Sequence, residues 1–322
     1  MPIDETLIRA AATRIAEANS ILVASHVGPD GDAVCSTLGL GLALEAAGKE
    51  VQMVLSDGVS AGFDHLEGIE KIQRKAKGLV DLVIAVDCAD RERLGGAVAK
   101  QRAVDINIDH HMTNTMYGEL NLVDAAAVAA CAQVAEYLQL LGLAFSPAIV
   151  DALFTGLLTD TLGLRTSNMT AEALRLAADL VERGARIQPL YERALLRRSL
   201  AAMRYWGAGL SKLEMEDGLL WTALTLEDRK AADYRQSDDA ELINSLASTE
   251  GAKITLLFIE HDDKQTKVSW RSRGDFDVAT LAASFGGGGH RAASGASVQG
   301  GLAEVQAKVI KATRELLEQA PD

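Results

Sequence analysis

The most constraining feature of this chain is a series of short apolar runs, each closed by acidic or imidazole side chains. Ile21-Leu22-Val23-Ala24, Val51-Gln52-Met53-Val54-Leu55, Leu79 to Asp87 and Val104-Asp105-Ile106-Asn107-Ile108-Asp109 read as strands. The third is apolar nearly throughout, as expected of a strand covered on both faces, and the fourth alternates less cleanly. Helical stretches are expected between them, so the order alternates β and α and predicts a mostly parallel sheet. An opening helix over 4–18 carries Ile8, Ala11, Ala12 and Ile15 at helical spacing. A second helix, from about 33 to 47, stops at Gly48.

Helices then dominate, over 125–141, 147–161, 170–183 and 189–206, with Thr170 as an N-cap and Gly184 as a stop for the third. The fourth bridges two parts of the chain, and its Arg193, Arg197, Arg198 and Arg204 read as a solvated face. We therefore expect a first domain over 1–187, a linker helix region over 188–214 and a second domain over 215–322. The second is a smaller α/β unit. Its strands are Leu219 to Leu224, Ile254 to Ile259 and Lys267 to Arg271, with helical pieces around 226–248 and 276–285. A Gly-rich loop and a closing helix over 302–318 complete it.

A chain of 322 residues is comfortable for two domains, and 48% apolar with 4% aromatic residues suits an Ala/Leu/Val-rich α/β protein. The net charge of -13 argues against binding long duplex nucleic acid, which needs a surplus of Lys and Arg. A small phosphate substrate held by a few local cations is compatible with it. Cys35, Cys88 and Cys131 lack CxxC spacing, which fits a reduced, cytoplasmic setting. No segment reaches transmembrane length, so no membrane association is expected.

In an open parallel sheet, ligand groups gather beyond the carboxyl ends of the strands. That rule selects His26, Asp30 and Asp32 after the first strand, Asp87 after the third, and Asp109-His110-His111 after the fourth. Asp30 and Asp32 are two apart on a turn held by Pro29 and Gly31, so both can reach toward neighbouring points. Asp160 adds an acid near the end of an apolar helix, where an ionised group is otherwise costly. A single aspartate at a strand end is most often a turn or helix cap. Clustered carboxylates and imidazoles at one sheet edge suit a pair of divalent ions instead, with no thiol among the ligands.

His26-Val-Gly-Pro-Asp30-Gly-Asp32-Ala, Asp87, Asp109-His110-His111 and Asp160 together resemble the four-motif signature of the DHH phosphoesterases. The run Phe285-Gly286-Gly287-Gly288-Gly289-His290-Arg291-Ala292-Ala293-Ser294-Gly295 resembles the DHH-associated substrate domain of many of them. Length is similar to the stand-alone nano-RNase and phosphoadenosine-phosphate phosphatase branch. Two departures, Cys35 in place of a small glycine and Leu162 before Gly163, touch packing near the site. The resemblance implies that His26 and Asp30 hold one metal, that Asp32, His110 and Asp160 hold the other, and that Asp87 bridges them. It implies Mn²⁺, with Mg²⁺, Co²⁺ or Zn²⁺ as alternatives, and attack of hydroxide on phosphorus. His111 would bind the scissile phosphate or assist the leaving oxygen, and Asp109 would orient a ligand histidine.

In the second domain, Arg271 and Arg273 alternate on one strand as a fork suited to phosphate, and Gly288, Gly289 and His290 offer donors to an anion. Arg291 reads as solvated, His65 and His261 as surface residues, Cys88 and Cys131 as core. Trp206, Trp221 and Trp270 read as packing, with base stacking open for Trp270. The expected activity is hydrolysis of short oligoribonucleotides to mononucleotides, removal of the 3′-phosphate from 3′-phosphoadenosine 5′-phosphate, or both. Cleavage of cyclic di-adenylate or linear dinucleotides, a pyrophosphatase and a non-catalytic nucleotide-binding protein are the alternatives. A homodimer is compatible with all of these.

Overall fold

A computed structural model describes residues 5–99, 102–262 and 264–318. The chain divides into two compact units, Met1–Arg197 and Arg198–Asp322. The first runs α1 (Glu5–Glu17), β1 (Ser20–Ala24), α2 (Gly31–Ala46), β2 (Glu50–Val54), β3 (Leu82–Val86), β4 (Val104–Asp109), β5 (Gly118–Val123), α3 (Ala130–Leu140), α4 (Pro147–Asp160), α5 (Ala171–Glu182) and α6 (Ile187–Tyr191). Its five strands lie in the order β2-β1-β3-β4-β5, all parallel. Alternate residues of β1 and β3 serve opposite cores. Ile21, Val23, Ile84 and Val86 face the helices α2 to α4, while Leu22, Ala24, Val83 and Ala85 fill a second cluster. Both faces are therefore covered, which is why these strands read as unbroken apolar runs.

The strand order reverses between β1 and β3, and such a switch point opens a crevice at the carboxyl ends. His26 follows β1 and Asp87 follows β3 at that crevice, with Asp109 ending β4 beside them. α2 and α4 pack closely through small residues. A Cβ on Gly31 would sit 2.3 Å from Thr159 Oγ1, and one on Gly39 would sit 2.6 Å from Leu153. That approach brings the N-terminus of α2 and the C-terminus of α4 to one place, which sets Asp32 near Asp160.

Several local expectations are corrected. The third strand begins at Leu82, not Leu79, because Leu79 is 96% exposed and the Asp81 carboxylate accepts the amides of Asn19 and Ser20. The connections before and after β3 are not α-helical among the described residues. They hold single turns at Ala61–Phe63, Ile69–Lys71 and Glu92–Leu94, since glycines 58, 62, 68 and 78 interrupt the first connection. β5 was not expected; it is an edge strand in which only Leu122 is a buried apolar residue, so its alternation is weak. The helix over 189–206 is broken. A π turn spans Glu192–Leu196, Arg197 is extended, and Ser199 caps a new helix by accepting from the Ala202 amide. Thr170 does cap α5, accepting from the Ala173 amide.

The second unit runs α7 (Leu200–Leu210), β6 (Glu214–Glu216), β7 (Leu219–Leu224), α8 (Leu226–Ala231), α9 (Leu242–Leu246), β8 (Ile254–Asp262), β9 (Gln265–Ser272), α10 (Val278–Ser284), β10 (Gly288–His290), β11 (Ala293–Gln299) and α11 (Leu302–Glu318). The strand order is β10-β11-β9-β8-β7-β6, with β7 and β8 parallel and the other pairs antiparallel. Part of the Gly-rich run is thus a strand rather than a loop. Gly289 takes φ 140°, and a Cβ there would lie 2.6 Å from the Ala293 carbonyl, so only glycine lets the hairpin close. Trp270 is fully buried with its Nε1 toward Thr313 Oγ1, which rules out base stacking for that ring.

Candidate metal centre

His26 lies beyond β1 and is 3% exposed. Its Nδ1 pairs with the Val27 carbonyl at 2.9 Å, so that nitrogen carries a proton and Nε2 is the one turned to the site. That Nε2 stands 4.0 Å from Asp30 Oδ2 and 3.7 Å from Asp87 Oδ2. His110 repeats the arrangement: Nδ1 lies 3.3 Å from the Ala127 carbonyl, and Nε2 is 3.5 Å from Asp87 Oδ1, 3.8 Å from Asp32 Oδ2 and 3.8 Å from Asp160 Oδ2. Asp87 therefore turns one carboxylate oxygen to each imidazole. Ligand-competent atoms of His26, Asp30 and Asp87, and of Asp32, Asp87 and His110, lie within 4.8 Å of one another.

Asp30, Asp32 and Asp87 are held from behind. Asp30 is the N-cap of α2 through Oδ1, accepting from the Ala33 amide, and keeps Oδ2 for the site. Capping and ligation are thus compatible uses of one carboxylate. Asp32 accepts the Ala130 and Cys131 amides at the start of α3, at 2.5 and 2.9 Å. Asp87 has φ 49°, a left-handed value that is uncommon outside glycine. Its amide donates to Ile108 O at 2.9 Å and its carbonyl accepts from Ser25 Oγ at 3.3 Å, so neighbouring strands hold the turn. Asp109 ends β4 fully buried, with Oδ1 2.7 Å from His111 Nδ1 and Oδ2 2.5 Å from Asn114 Nδ2.

The charges do not balance among these side chains alone. Burial raises Asp32, helped by the charges of Asp87 and Asp160. Burial also raises Asp160 to about 7, against the pull of His110. Burial works against the charged form of Asp87 too, but the neighbouring imidazoles of His110 and His26 hold it well below the usual carboxylate range. Burial disfavours the charged imidazoles, yet Asp87 and Asp30 lift His26 to about 9, and Asp87 and Asp160 lift His110 well above its ordinary value. Asp87 Oδ1 remains a buried oxygen without a hydrogen bond. A buried carboxylate that turns Oδ1 to His110 Nε2 and Oδ2 to His26 Nε2, with three further acids around it, fits hard divalent cations bound by O and N donors.

Without a cation His26 and His110 hold protons at neutral pH, and a ligand nitrogen must lose its proton. Binding of Mn²⁺ is expected to release protons at pH 7.5 and to tighten as pH rises toward 9. Titration calorimetry in two buffers of different ionisation enthalpy measures the release, and identical heats in both would contradict it.

In the second unit, Arg271 lies one residue before the end of β9, on the face opposite the Trp270 ring. Its Nε donates to Asn244 Oδ1 and its Nη1 to Trp270 O, both at 2.9 Å. Arg273 falls past the strand end and is exposed, so the two arginines do not share one strand. Gly288, Gly289 and His290 form the exposed edge strand β10, and Arg291 donates to the Asp275 carbonyl. His65 and His261 are half-buried rather than on the surface. Arg198 is half-buried over Trp206, unlike the exposed Arg193, Arg197 and Arg204. The three cysteines are buried and free. Asn114 and the α3 amides were not expected at the site; the only hint was a polar Asn107 inside an apolar strand.

The sequence model of the DHH family N-terminal domain matches residues 20–157, and that of the DHHA1 domain matches residues 223–319. The bifunctional oligoribonuclease and PAP phosphatase NrnA of Thermus thermophilus is 35% identical over 307 residues, covering 93% of this chain and 91% of its own length. The protein of the same name from Bacillus subtilis is 27% identical over 288 residues, covering 87% and 90%. An exopolyphosphatase-related protein from Bacteroides fragilis has a TM-score of 0.86 at 23% identity, covering 98% of this chain and 96% of that one. RecJ of Thermus thermophilus in complex with Mn²⁺ has a TM-score of 0.57 at 15% identity, covering 98% and 55%. The last two speak to the fold alone. With acids and imidazoles gathered at the switch point of its parallel sheet and both domain types matched, the chain belongs to the DHH family and is a metal-dependent phosphoesterase.

Proposed function

We propose that this chain hydrolyses short oligoribonucleotides to mononucleotides and removes the 3′-phosphate of 3′-phosphoadenosine 5′-phosphate, using two divalent ions, Mn²⁺ foremost. The observation that carries the reading is the Asp87 carboxylate turned to two imidazole nitrogens, in a chain 35% identical to a bifunctional oligoribonuclease and PAP phosphatase. His26 and Asp30 hold one ion, Asp32, His110 and Asp160 the other, and Asp87 is shared. When bound, the ions supply positive charge to the phosphate oxygens and acidify water.

The protein's own groups do the rest. Asp109 accepts a hydrogen bond from the Nδ1 proton of His111, and when His111 also carries a proton on Nε2 that N–H donates to the scissile phosphate or passes its proton to the leaving oxygen. Arg271, Arg273, Gly288, Gly289 and His290 take the distal phosphate or sugar of the substrate. Both reactions break one P–O ester bond, form one bond from phosphorus to a water oxygen, and leave a nucleoside monophosphate, so one site serves both. Buried free cysteines fit a reducing, cytoplasmic setting.

The test is incubation with Mn²⁺ and a panel of di- to pentanucleotides, 3′-phosphoadenosine 5′-phosphate and cyclic di-adenylate. Mononucleotides from the linear substrates, and AMP with free phosphate from the bisphosphate, are expected. Turnover of the cyclic compound with the linear ones untouched, or binding without phosphate release, would overturn the reading.

A further inference from the structure

We propose that Asn114 is a positioning residue for hydrolysis: it holds the Asp109 carboxylate so that its second oxygen fixes the ring of His111. The inference rests on the reading of His111 as the side chain that meets the scissile phosphate.

Backbone groups around Asn114 can only donate or only accept, and they fix which way its amide points. The Met116 amide donates to Asn114 Oδ1 at 2.7 Å, which turns the Asn114 NH₂ the other way. That NH₂ donates to Asp109 Oδ2 at 2.5 Å and to the Cys88 carbonyl at 3.3 Å. One side chain thereby ties the turn after β3, which carries Asp87, to the turn after β4, which carries His110 and His111. With Oδ2 accepting from Asn114, Asp109 presents Oδ1 as an acceptor to His111 Nδ1 at 2.7 Å. The ring's proton is then set on Nδ1 by a chain of polar groups that begins at a backbone amide.

Two more asparagines brace this arrangement. Asn107 on β4 donates from Nδ2 to Asn114 Oδ1 at 3.1 Å and to Asn121 Oδ1 on β5 at 3.4 Å. Asn121 is held by its own backbone, accepting the Gly118 amide at 3.0 Å and donating to the Gly118 carbonyl at 2.7 Å. Asn107 and Asn121 are register partners in the parallel pair. The crossover joining β4 to β5 is residues 110–117 alone, whereas parallel strands ordinarily need about a dozen residues or more. An amide network in place of a crossover helix keeps this short segment against the sheet, and Asn114 is its member that reaches the site.

A role confined to bracing the crossover and a role in positioning His111 separate experimentally. Asn114→Asp keeps the shape but faces Asp109 with an acceptor, and Asn114→Ala removes the donor. In both, kcat for a linear dinucleotide is expected to fall about 10–100-fold, with KM held within about threefold. In long-range ¹H–¹⁵N spectra of the metal-free protein, wild-type His111 is expected as one Nδ1-protonated form, with that signal broadened or moved in both variants. A His111 spectrum unaltered in folded Asn114→Asp overturns the proposal, whatever its kcat. Should Asn114→Ala fail to fold, the isosteric variant carries the test. Should wild type show no phosphoester turnover, the proposed function falls, while the ring spectrum still decides the role of Asn114.

Discussion

Asp87→Asn is expected to lower kcat for a linear dinucleotide on the order of 10⁴-fold in Mn²⁺, a barrier increase of about 5.5 kcal/mol. The amide keeps the shape of the carboxylate but removes its charge and one of its two lone-pair-bearing oxygens. Because Oδ1 and Oδ2 face different imidazoles, a single substitution touches both halves of the site. The fold is expected to survive, since the turn is held through backbone atoms of residue 87. A second consequence concerns protons. Asp87 is among the groups lifting His26 and His110, so in the variant both imidazoles titrate lower. A raised imidazole contributes stability below its unfolded pKa, near 6.5, and loses that contribution as pH rises through its folded value. The metal-free wild type should therefore lead the variant most between the ordinary carboxylate range and about pH 6.5, and the share owed to His26 is lost as pH rises through about 9. Steady-state kinetics and pH-dependent urea unfolding check the two outcomes; a variant with a tenth of wild-type kcat would exclude a shared ligand at position 87.

Gly156→Ala should destabilise the protein by about 1–3 kcal/mol, although alanine is the better helix former by about 1 kcal/mol. A Cβ at this position of α4 would lie 2.2 Å from Cys131 Sγ and 2.9 Å from Cys35 Cβ, both fully buried. Neither neighbour has a flexible end to withdraw. Asp160 is one helical turn further along the same face, so the strain also moves a site acid. Cys131→Ala removes the sulfur, and the double variant should recover at least about 0.5 kcal/mol relative to the sum of the single changes. Thermal unfolding of the four proteins closes the cycle, and strict additivity would show that α4 escapes the clash by shifting.

The residues of the candidate metal centre could be picked from the sequence because most of them sit at strand ends, and strands buried on both faces announce themselves. β1, β4, β7 and α11 fall where apolar runs or helical spacing put them. The edge strands β5 and β10 do not. One alternates weakly and the other is glycine and histidine, so tertiary pairing rather than local pattern makes them strands. The break near Arg197 is equally invisible, since no proline or glycine marks it and Ser199 alone signals a new cap. Around the site, what eluded the reading is what holds the ligands. The amides orienting Asp32 come from Ala130 and Cys131, nearly a hundred residues away, and carry no side-chain signature. Asn107 was the visible trace of the amide network, a polar residue where an apolar strand should have been continuous.

The central claim is that Asp87 is shared between two cations. Anomalous diffraction from crystals grown with Mn²⁺ tests it directly. Two peaks are predicted, one among His26, Asp30 and Asp87 and one among Asp32, Asp87, His110 and Asp160. Peaks that leave the Asp87 carboxylate untouched, or no peak at this sheet edge, would contradict it.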